Sequence, residues 1–137
     1  MKVKDAQSME RVWAIRKEVF VKEQKVDESL EFDHEEESTH FLCFIDGEAV
    51  GTARWRDSGK GIKLERFAVK KDFRNRGVGG ALVEAVLEDI PHNKRVYLHS
   101  QSAAVPFYSR YGFKIIGPEF HEAGIAHFVM EWERPKK

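Results

Sequence analysis

The residues with the clearest chemical potential are the arginines and glycines between positions 74 and 80. Arg74 and Arg76 precede Gly77-Val78-Gly79-Gly80, and this loop follows the apolar run Phe67–Val69. A helical pattern continues from Ala81. The first amides of a helix have no partners within it and carry partial positive charge. Glycines let an anion approach the backbone, and arginines donate in a fork suited to phosphate oxygens. The stretch therefore predicts a phosphate site.

The spacing of these residues narrows the kind of phosphate ligand. The loop lacks the Gly-Lys-Ser/Thr of NTPase phosphate loops. It also lacks the Gly-x-Gly-x-x-Gly of dinucleotide sites and their downstream acidic residue. The pattern here is Arg74-x-x-Gly77-x-Gly79. It resembles the acyl-CoA pyrophosphate loop of the GCN5-related N-acetyltransferase (GNAT) family. For this motif alone, an ordinary strand-to-helix turn is the alternative.

The elements that must position the loop follow from apolar periodicity and turn signals. Val12, Ile15, Val19 and Phe20 recur near helical spacing after a cap at Asp5 or Ser8. Asp46-Gly47 is a hairpin signal between two apolar runs. The other predicted strands are Lys2–Lys4, His40–Ile45, Ala49–Trp55, Ile62–Val69, Arg95–Ser100, Phe113–Gly117 and Ile125–Trp132. One further helix ends near Ile90 and a short one covers Ala103–Tyr111, stopped by Gly112, with Pro118–Gly124 as a long connection.

This order predicts an α/β fold with a GNAT-type mixed, mostly antiparallel sheet and helices on both faces. Three antiparallel strands run into the glycine loop, and the helix after it leads to a strand that we expect to lie parallel to the third. We expect one domain over residues 1–137, a length sufficient for a single core.

Composition limits the classes of partner and compartment. The 23 basic and 23 acidic residues give a formal net charge of zero, which argues against broad nucleic-acid or membrane attraction. Cys43 is the single cysteine and lies in an apolar run, so we expect a buried, inert thiol in a reducing compartment. The sequence has no signal-like N-terminus and no window long enough to span a bilayer. We therefore predict a cytoplasmic protein.

A second motif strengthens the family resemblance. Gln101-x-x-Ala104-x-x-Phe107-Tyr108-x-x-Tyr111-Gly112-Phe113 follows a predicted strand. It is similar to the second GNAT signature, and the two motifs stand in the family's order. Further segments resemble a small, single-domain bacterial branch of the family: Val19-Phe20-Val21-x-Glu23-Gln24, Glu31-x-Asp33, His40, and Phe120-x-Glu122-x-Gly124-Ile125-x-His127-x-x-Met130.

The resemblance implies transfer of an acetyl group from acetyl-CoA to an amine, without a metal. Backbone groups of Phe67, Ala68 and Val69 would contact pantetheine and polarise the thioester carbonyl. Amides from Arg76 through Gly77, Val78, Gly79 and Gly80 would hold the pyrophosphate, with Arg74 or Lys71 beside it. Gln101, Ser102 and Phe107 would contact the cofactor. Tyr108 would protonate the leaving thiolate; a packed ring with a hydrogen-bonded hydroxyl is the alternative.

The group that removes the amine proton stays open in the sequence. Glu65 lies on the strand before the glycine loop, although aligning the loops puts Lys63 where family members often carry a base. The remaining candidates, each equally compatible with a salt-bridge or core role, are Glu31, Asp33, His40, His121, Glu122 and His127.

The acceptor is a small-molecule or protein amine, and the sequence does not name it. Asp27–Glu37 is densely acidic, which fits either a solvated segment or a rim that attracts a cation. Metal binding by His34 and His40 matches no ligand spacing. Alternatives to acetyl transfer are a non-catalytic acyl-CoA sensor and transfer of a larger acyl group. A homodimer is compatible with the sequence.

Overall fold

The structure is a computed structural model that describes residues 1–23, 38–91, 93–122 and 124–133. Its chain forms two compact units: Met1–Arg56 with Arg66–Ile90, and Asp57–Glu65 with Pro91–Lys137. Several predictions fall on residues outside the described ranges. These are the predictions for Gln24, Glu31, Asp33, His34, the acidic stretch Asp27–Glu37 and the basic C-terminal tail. None of the described helices is long and apolar enough to cross a membrane.

The first unit begins with a bridge from Lys2 to Phe41 instead of the strand predicted at Lys2–Lys4. Helix α1 (Ala6–Arg16) follows, capped by the Asp5 carboxylate, which accepts from the Ser8 amide at 2.7 Å. The chain continues as a π-helical segment, Lys17–Glu23. The unit also contains β1 (Thr39–Ile45), β2 (Glu48–Asp57), the end of β3 (Ile62–Val69) and α2 (Val78–Asp89).

The β1–β2 hairpin forms where the sequence predicts it. Asp46 and Gly47 both have positive φ, 50° and 83°, and β1 and β2 pair antiparallel on either side of them. A core cluster joins α1 and the π-helical segment to β1 and β3: Val12, Ile15, Val19, Phe20, Leu42 and Ala68. Gly51 pairs with Cys43, next to Leu42, and a Cβ at Gly51 would meet Val78 of α2 at 2.6 Å. Because neighbouring strand residues alternate faces, α1 and α2 cover opposite faces of these strands.

The second unit is built around β7 (Ile125–Trp132). This strand pairs antiparallel with β4 (Val96–Gln101), β5 (Phe113–Ile115) and β6 (Phe120–Glu122). The start of β3 pairs parallel with β4, as predicted, from Ile62–Val96 to Leu64–Leu98. A short helix, α3 (Val105–Ser109), follows a 3-10 turn at Ser102–Ala104.

The mixed, mostly antiparallel α/β fold is therefore confirmed, with local differences from the predicted elements. The connection predicted at Pro118–Gly124 contains strand β6. Three residues give too short a pattern to be recognised in sequence, and their pairing with β7 fixes them as a strand. Helix α3 is also shorter than predicted, because its first turn is 3-10.

Candidate active site

The glycine loop leads directly from β3 into α2. The Lys70 amide donates to the Val50 carbonyl at 2.9 Å, which fixes the end of the strand, and a 3-10 turn follows at Lys71–Phe73. Gly77 has φ +81° and caps α2, a conformation that a residue with a Cβ rarely adopts. No side chain among the described residues caps the first amides of α2. A strand therefore delivers unsatisfied helix amides beside a glycine, which is an arrangement that binds phosphate.

The two arginines of the loop occupy different environments. Arg74 is half-buried, and its Nε donates to the Val69 carbonyl at 3.0 Å. Arg76 is exposed, with its guanidinium 5.4 Å from the centre of the Phe73 ring. Arg74 thus ties the loop to the end of β3, whereas Arg76 is held by a surface contact.

Strand β3 changes character at its midpoint. Its ladder with β4 covers Ile62–Leu64, and Arg66 has φ +58°. A left-handed residue interrupts a regular strand, and the apolar pattern gave no sign of it. Beyond it, Ala68 is buried in the core cluster of the first unit, and Phe67 and Val69 are half-buried.

The residues predicted on the second motif lie in the second unit. Tyr108 is buried in α3, with ring centres 5.0 Å from Phe107 and 6.0 Å from Phe113. Burial raises the pKa of the Tyr108 phenol well above its ordinary value of 10.0, so the hydroxyl stays protonated. Gln101 and Ser102 are half-buried. The Ser102 hydroxyl oxygen is buried and has no hydrogen-bond partner among the described residues.

Of the candidate proton acceptors, Glu65 is joined to Lys63 by an ion pair of 3.3 Å, with both side chains about one-seventh exposed. His40 is buried in the first unit, and His121 is exposed. Glu122 and His127 are neighbours in the second unit, with Oε2 and Nε2 3.7 Å apart.

His99 is a residue that the sequence reasoning missed. Its Nδ1 lies 3.2 Å from Glu122 Oε1. Strand alternation in β4 could have placed its side chain on the face of Tyr97 and Gln101. Nothing in the pattern could have indicated that His99 contacts Glu122, because that contact depends on β6. No group of three or more His, Cys, Asp or Glu side chains in the described part of the chain is arranged to hold a metal ion.

The predicted site residues are thus divided between the units. The stretch from Phe67 to Gly80 lies in the first unit, and Glu65, Gln101, Ser102, Phe107 and Tyr108 lie in the second. In the first unit the strand, the loop and the helix amides form the phosphate-type arrangement. The second unit contains a buried phenol, that of Tyr108, and a group of titratable side chains.

Comparisons with known proteins identify the family. The family model of the acetyltransferase (GNAT) domain matches residues 3–134. The uncharacterised N-acetyltransferase YjcF of Bacillus subtilis is 37% identical over 131 residues, which cover 93% of this chain and 94% of YjcF.

Solved structures agree with this assignment. An acyl-CoA N-acyltransferase from Pseudomonas aeruginosa has a TM-score of 0.85 and 25% identity over 97% of each chain. A GNAT acetyltransferase from Elizabethkingia anophelis, solved with acetyl-CoA bound, has a TM-score of 0.62 and 19% identity, over 77% of this chain and 80% of its own. The chain therefore belongs to the GNAT family and is an acyl-CoA-dependent N-acyltransferase.

Proposed function

We propose that this enzyme transfers an acetyl group from acetyl-CoA to a primary amine by direct attack in a ternary complex. The observation that carries the proposal is the loop from Arg74 to Gly80, which opens into the amide end of α2 and is tied to Val69 by Arg74. Its fixed donors suit a pyrophosphate. The acetyl-CoA bound to the Elizabethkingia anophelis relative supports the choice of donor.

The proposal assigns a role to each predicted cofactor contact. The amides of Arg76, Gly77, Val78, Gly79 and Gly80 hold the pyrophosphate. Backbone groups of Phe67, Ala68 and Val69 contact the pantetheine, and one of their amides polarises the thioester carbonyl. Such an oxyanion donor contributes on the order of 10²–10³ in rate. Gln101, Ser102 and Phe107 complete the contacts, and the buried Ser102 hydroxyl supports this assignment.

Tyr108 protonates the departing CoA thiolate. A phenol kept neutral by burial can donate its proton, and a buried ring neighbourhood holds it in one orientation. The sequence suggests Glu65 as the proton acceptor. Glu65 forms an ion pair with Lys63, and the experiments below test whether it can still accept the proton.

The same proposal covers domain and partners. Both units belong to one N-acetyltransferase domain, because a single family model spans 3–134. The acceptor is a small-molecule or protein amine, and neither nucleic acid nor membrane is required. We also propose a cytoplasmic location. The proposal is compatible with a homodimer, and light scattering measures the oligomeric state in solution.

The deciding experiment measures free-thiol release from acetyl-CoA with a panel of ethylamine, spermidine, L-lysine and a lysine peptide, beside Tyr108→Phe. Turnover with an amine, reduced in the variant, supports the proposal. CoA binding by calorimetry without thiol release for any amine favours a non-catalytic sensor. Release with butyryl-CoA but not acetyl-CoA indicates transfer of a larger acyl group.

A further inference from the structure

One face of the second unit collects titratable side chains. Directly paired residues of neighbouring strands point to the same face. The pairs are Lys63–Tyr97, Tyr97–Glu131, His99–Val129, Gln101–His127, Phe120–His127 and Glu122–Ile125. Lys114 of β5 also pairs with Glu131. Because residues two apart on a strand also share a face, the charged or titratable groups on this face are Lys63, Glu65, Tyr97, His99, Lys114, Glu122, His127 and Glu131.

Glu122 lies at the centre of this group. Its Oε1 is 3.2 Å from His99 Nδ1, and its Oε2 is 3.7 Å from His127 Nε2. The hydrogen bond from His99 holds the pKa of the Glu122 carboxyl below its ordinary value, and the charges of His99, Lys63 and His127 add to this effect. The carboxylate therefore stays ionised at neutral pH. About half of its side chain is exposed, so a solute can reach it.

The His127 ring is held in one orientation. Its Nδ1 is 2.7 Å from the Ile125 carbonyl oxygen, and since a carbonyl only accepts, Nδ1 carries the hydrogen. In the neutral ring Nε2 then has a lone pair, and it faces the Glu122 carboxylate. Two acceptors 3.7 Å apart make no hydrogen bond with each other. A cationic donor between them would satisfy both.

Phe120 fixes the two imidazoles around the carboxylate. Its ring stacks on His127, with centres 5.8 Å apart, and meets His99 edge-on at 5.2 Å. These contacts restrict the rings without occupying the nitrogens. The result is a carboxylate between two oriented imidazoles, which resembles a preorganised site for a protonated amine.

We propose that Glu122 and His127 bind the ammonium group of the acceptor, and that His127 Nε2 takes its proton. The inference rests on the proposed function and names its proton acceptor. His99 acts as a positioning residue, because it holds the carboxylate through Oε1.

The proton balance is complete. The N–H bond of the ammonium breaks as His127 Nε2–H forms, and the amine lone pair attacks the thioester carbon. The C–S bond then breaks, and the thiolate takes a proton from Tyr108. The new amide nitrogen loses a second proton, which restores the Tyr108 phenol, and His127 releases the first proton to solvent. Of the two protons, one therefore ends on CoA by way of Tyr108 and the other in solvent.

His127 is better suited to this step than Glu65. Reference pKa values are about 10.4 for a lysine-like amine, about 6.5 for histidine and about 4.3 for glutamate, so transfer to a histidine is less uphill. The Lys63 ammonium 3.3 Å from Glu65 also opposes protonation of that carboxylate. The neighbour of His127 is instead a carboxylate, since Glu122 Oε2 lies 3.7 Å from its Nε2.

The test compares His127→Asn and Glu122→Gln with wild type and with Glu119→Gln, a matched control at an exposed carboxylate before β6. The asparagine amide keeps a donor for the Ile125 carbonyl but has no Nε2 lone pair. The acceptors are ethylamine, protonated at neutral pH, and 2,2,2-trifluoroethylamine, largely neutral there. Thiol release gives kcat against pH, and the imidazole signals of His127 are followed by NMR as ethylammonium is added.

We expect His127→Asn to lower kcat for ethylamine about 10²-fold or more and to remove the acid limb of the profile. Trifluoroethylamine should restore most of the loss, because it is largely neutral and brings no ammonium proton to remove before attack. Glu122→Gln should raise KM for ethylamine more than for trifluoroethylamine. Wild-type His127 signals should move on addition of ethylammonium and not move in Glu122→Gln.

Three results overturn the inference: a wild-type acid limb in His127→Asn, equal losses with both amines, or loss of the acid limb in Glu65→Gln alone. Absence of thiol release from the wild-type enzyme with every amine is instead a failure of the proposed function. The NMR titration still decides the ammonium site in that case, since unmoved His127 signals exclude it.

His99 has its own control. His99→Asn keeps a donor toward Glu122 Oε1, whereas His99→Leu removes it. We expect His99→Leu to raise KM for ethylamine and His99→Asn to restore it toward the wild-type value. Equal effects of both substitutions would contradict the positioning role.

Discussion

Arg74 Nε donates to the Val69 carbonyl oxygen at 3.0 Å, so the first arginine of the glycine loop is bound to the strand that precedes it. Any phosphate contact from Arg74 must then come from its two terminal nitrogens. The side chain therefore has two tasks, holding the loop against β3 and presenting charge to a phosphate, and only a guanidinium can do both.

Substituting Arg74 should weaken acetyl-CoA binding more than substituting Arg76. Arg74→Ala removes a charged hydrogen bond of about 1.5–3 kcal/mol, so we expect KM for acetyl-CoA to rise about 10-fold or more. Arg74→Lys should recover little, because one ammonium cannot serve both partners. Steady-state kinetics and calorimetry with CoA measure this effect. An equal or larger loss in Arg76→Ala, at the exposed position, would contradict it.

Gly77→Ala should affect both stability and cofactor binding. Gly77 and Gly47 have nearly the same φ, +81° and +83°, and a Cβ at either position meets no atom within 4 Å. Each alanine should therefore cost about 1–2 kcal/mol of backbone strain. The thermal unfolding temperature should fall equally in both variants, but KM for acetyl-CoA should rise only in Gly77→Ala. A similar rise in Gly47→Ala would mean that lost stability, not the loop, is responsible.

The sequence predicts the local structure of the chain better than it predicts contacts between side chains that are distant in sequence. Asp46-Gly47, the glycine loop and the parallel β3–β4 pair follow from turn chemistry and element order. The left-handed φ of Arg66 does not, because arginine, like other residues with a Cβ, is more stable in extended backbone. The contact of His99 with Glu122 also escapes prediction, since it joins side chains 23 positions apart through pairings of β7.

Tyr108→Phe should reduce kcat with little change in stability or KM for acetyl-CoA. Loss of a general acid costs about 10²–10⁴ in rate. Because burial raises the pKa of the Tyr108 phenol, the wild-type kcat should show no decline from Tyr108 ionisation where an ordinary tyrosine titrates, near 10.0. Thiol-release rates across this pH range provide the measurement.

The matched control for Tyr108 is Tyr111→Phe. Tyr111 is half-buried, and its ring centre lies 5.3 Å from that of Phe107, so it shares the aromatic neighbourhood. If both substitutions lower kcat equally, the loss reflects packing near α3 and the acid role of Tyr108 is wrong.

Glu122→Gln should remove part of the acid sensitivity of folding. The His99 hydrogen bond lowers the folded-state pKa of Glu122 below the ordinary 4.5, so the unfolded state binds this proton first as pH falls. The stabilisation is therefore complete above about 4.5 and disappears as pH falls through the lowered folded pKa. Half-exposed pairs contribute about 0.2–1 kcal/mol. Wild type should unfold about 1–4 °C above Glu122→Gln at pH 6, and the difference should shrink as the pH falls below the ordinary 4.5. Glu119→Gln supplies the baseline, and a gap that persists unchanged at low pH would show that the Glu122 carboxylate does not carry this stabilisation.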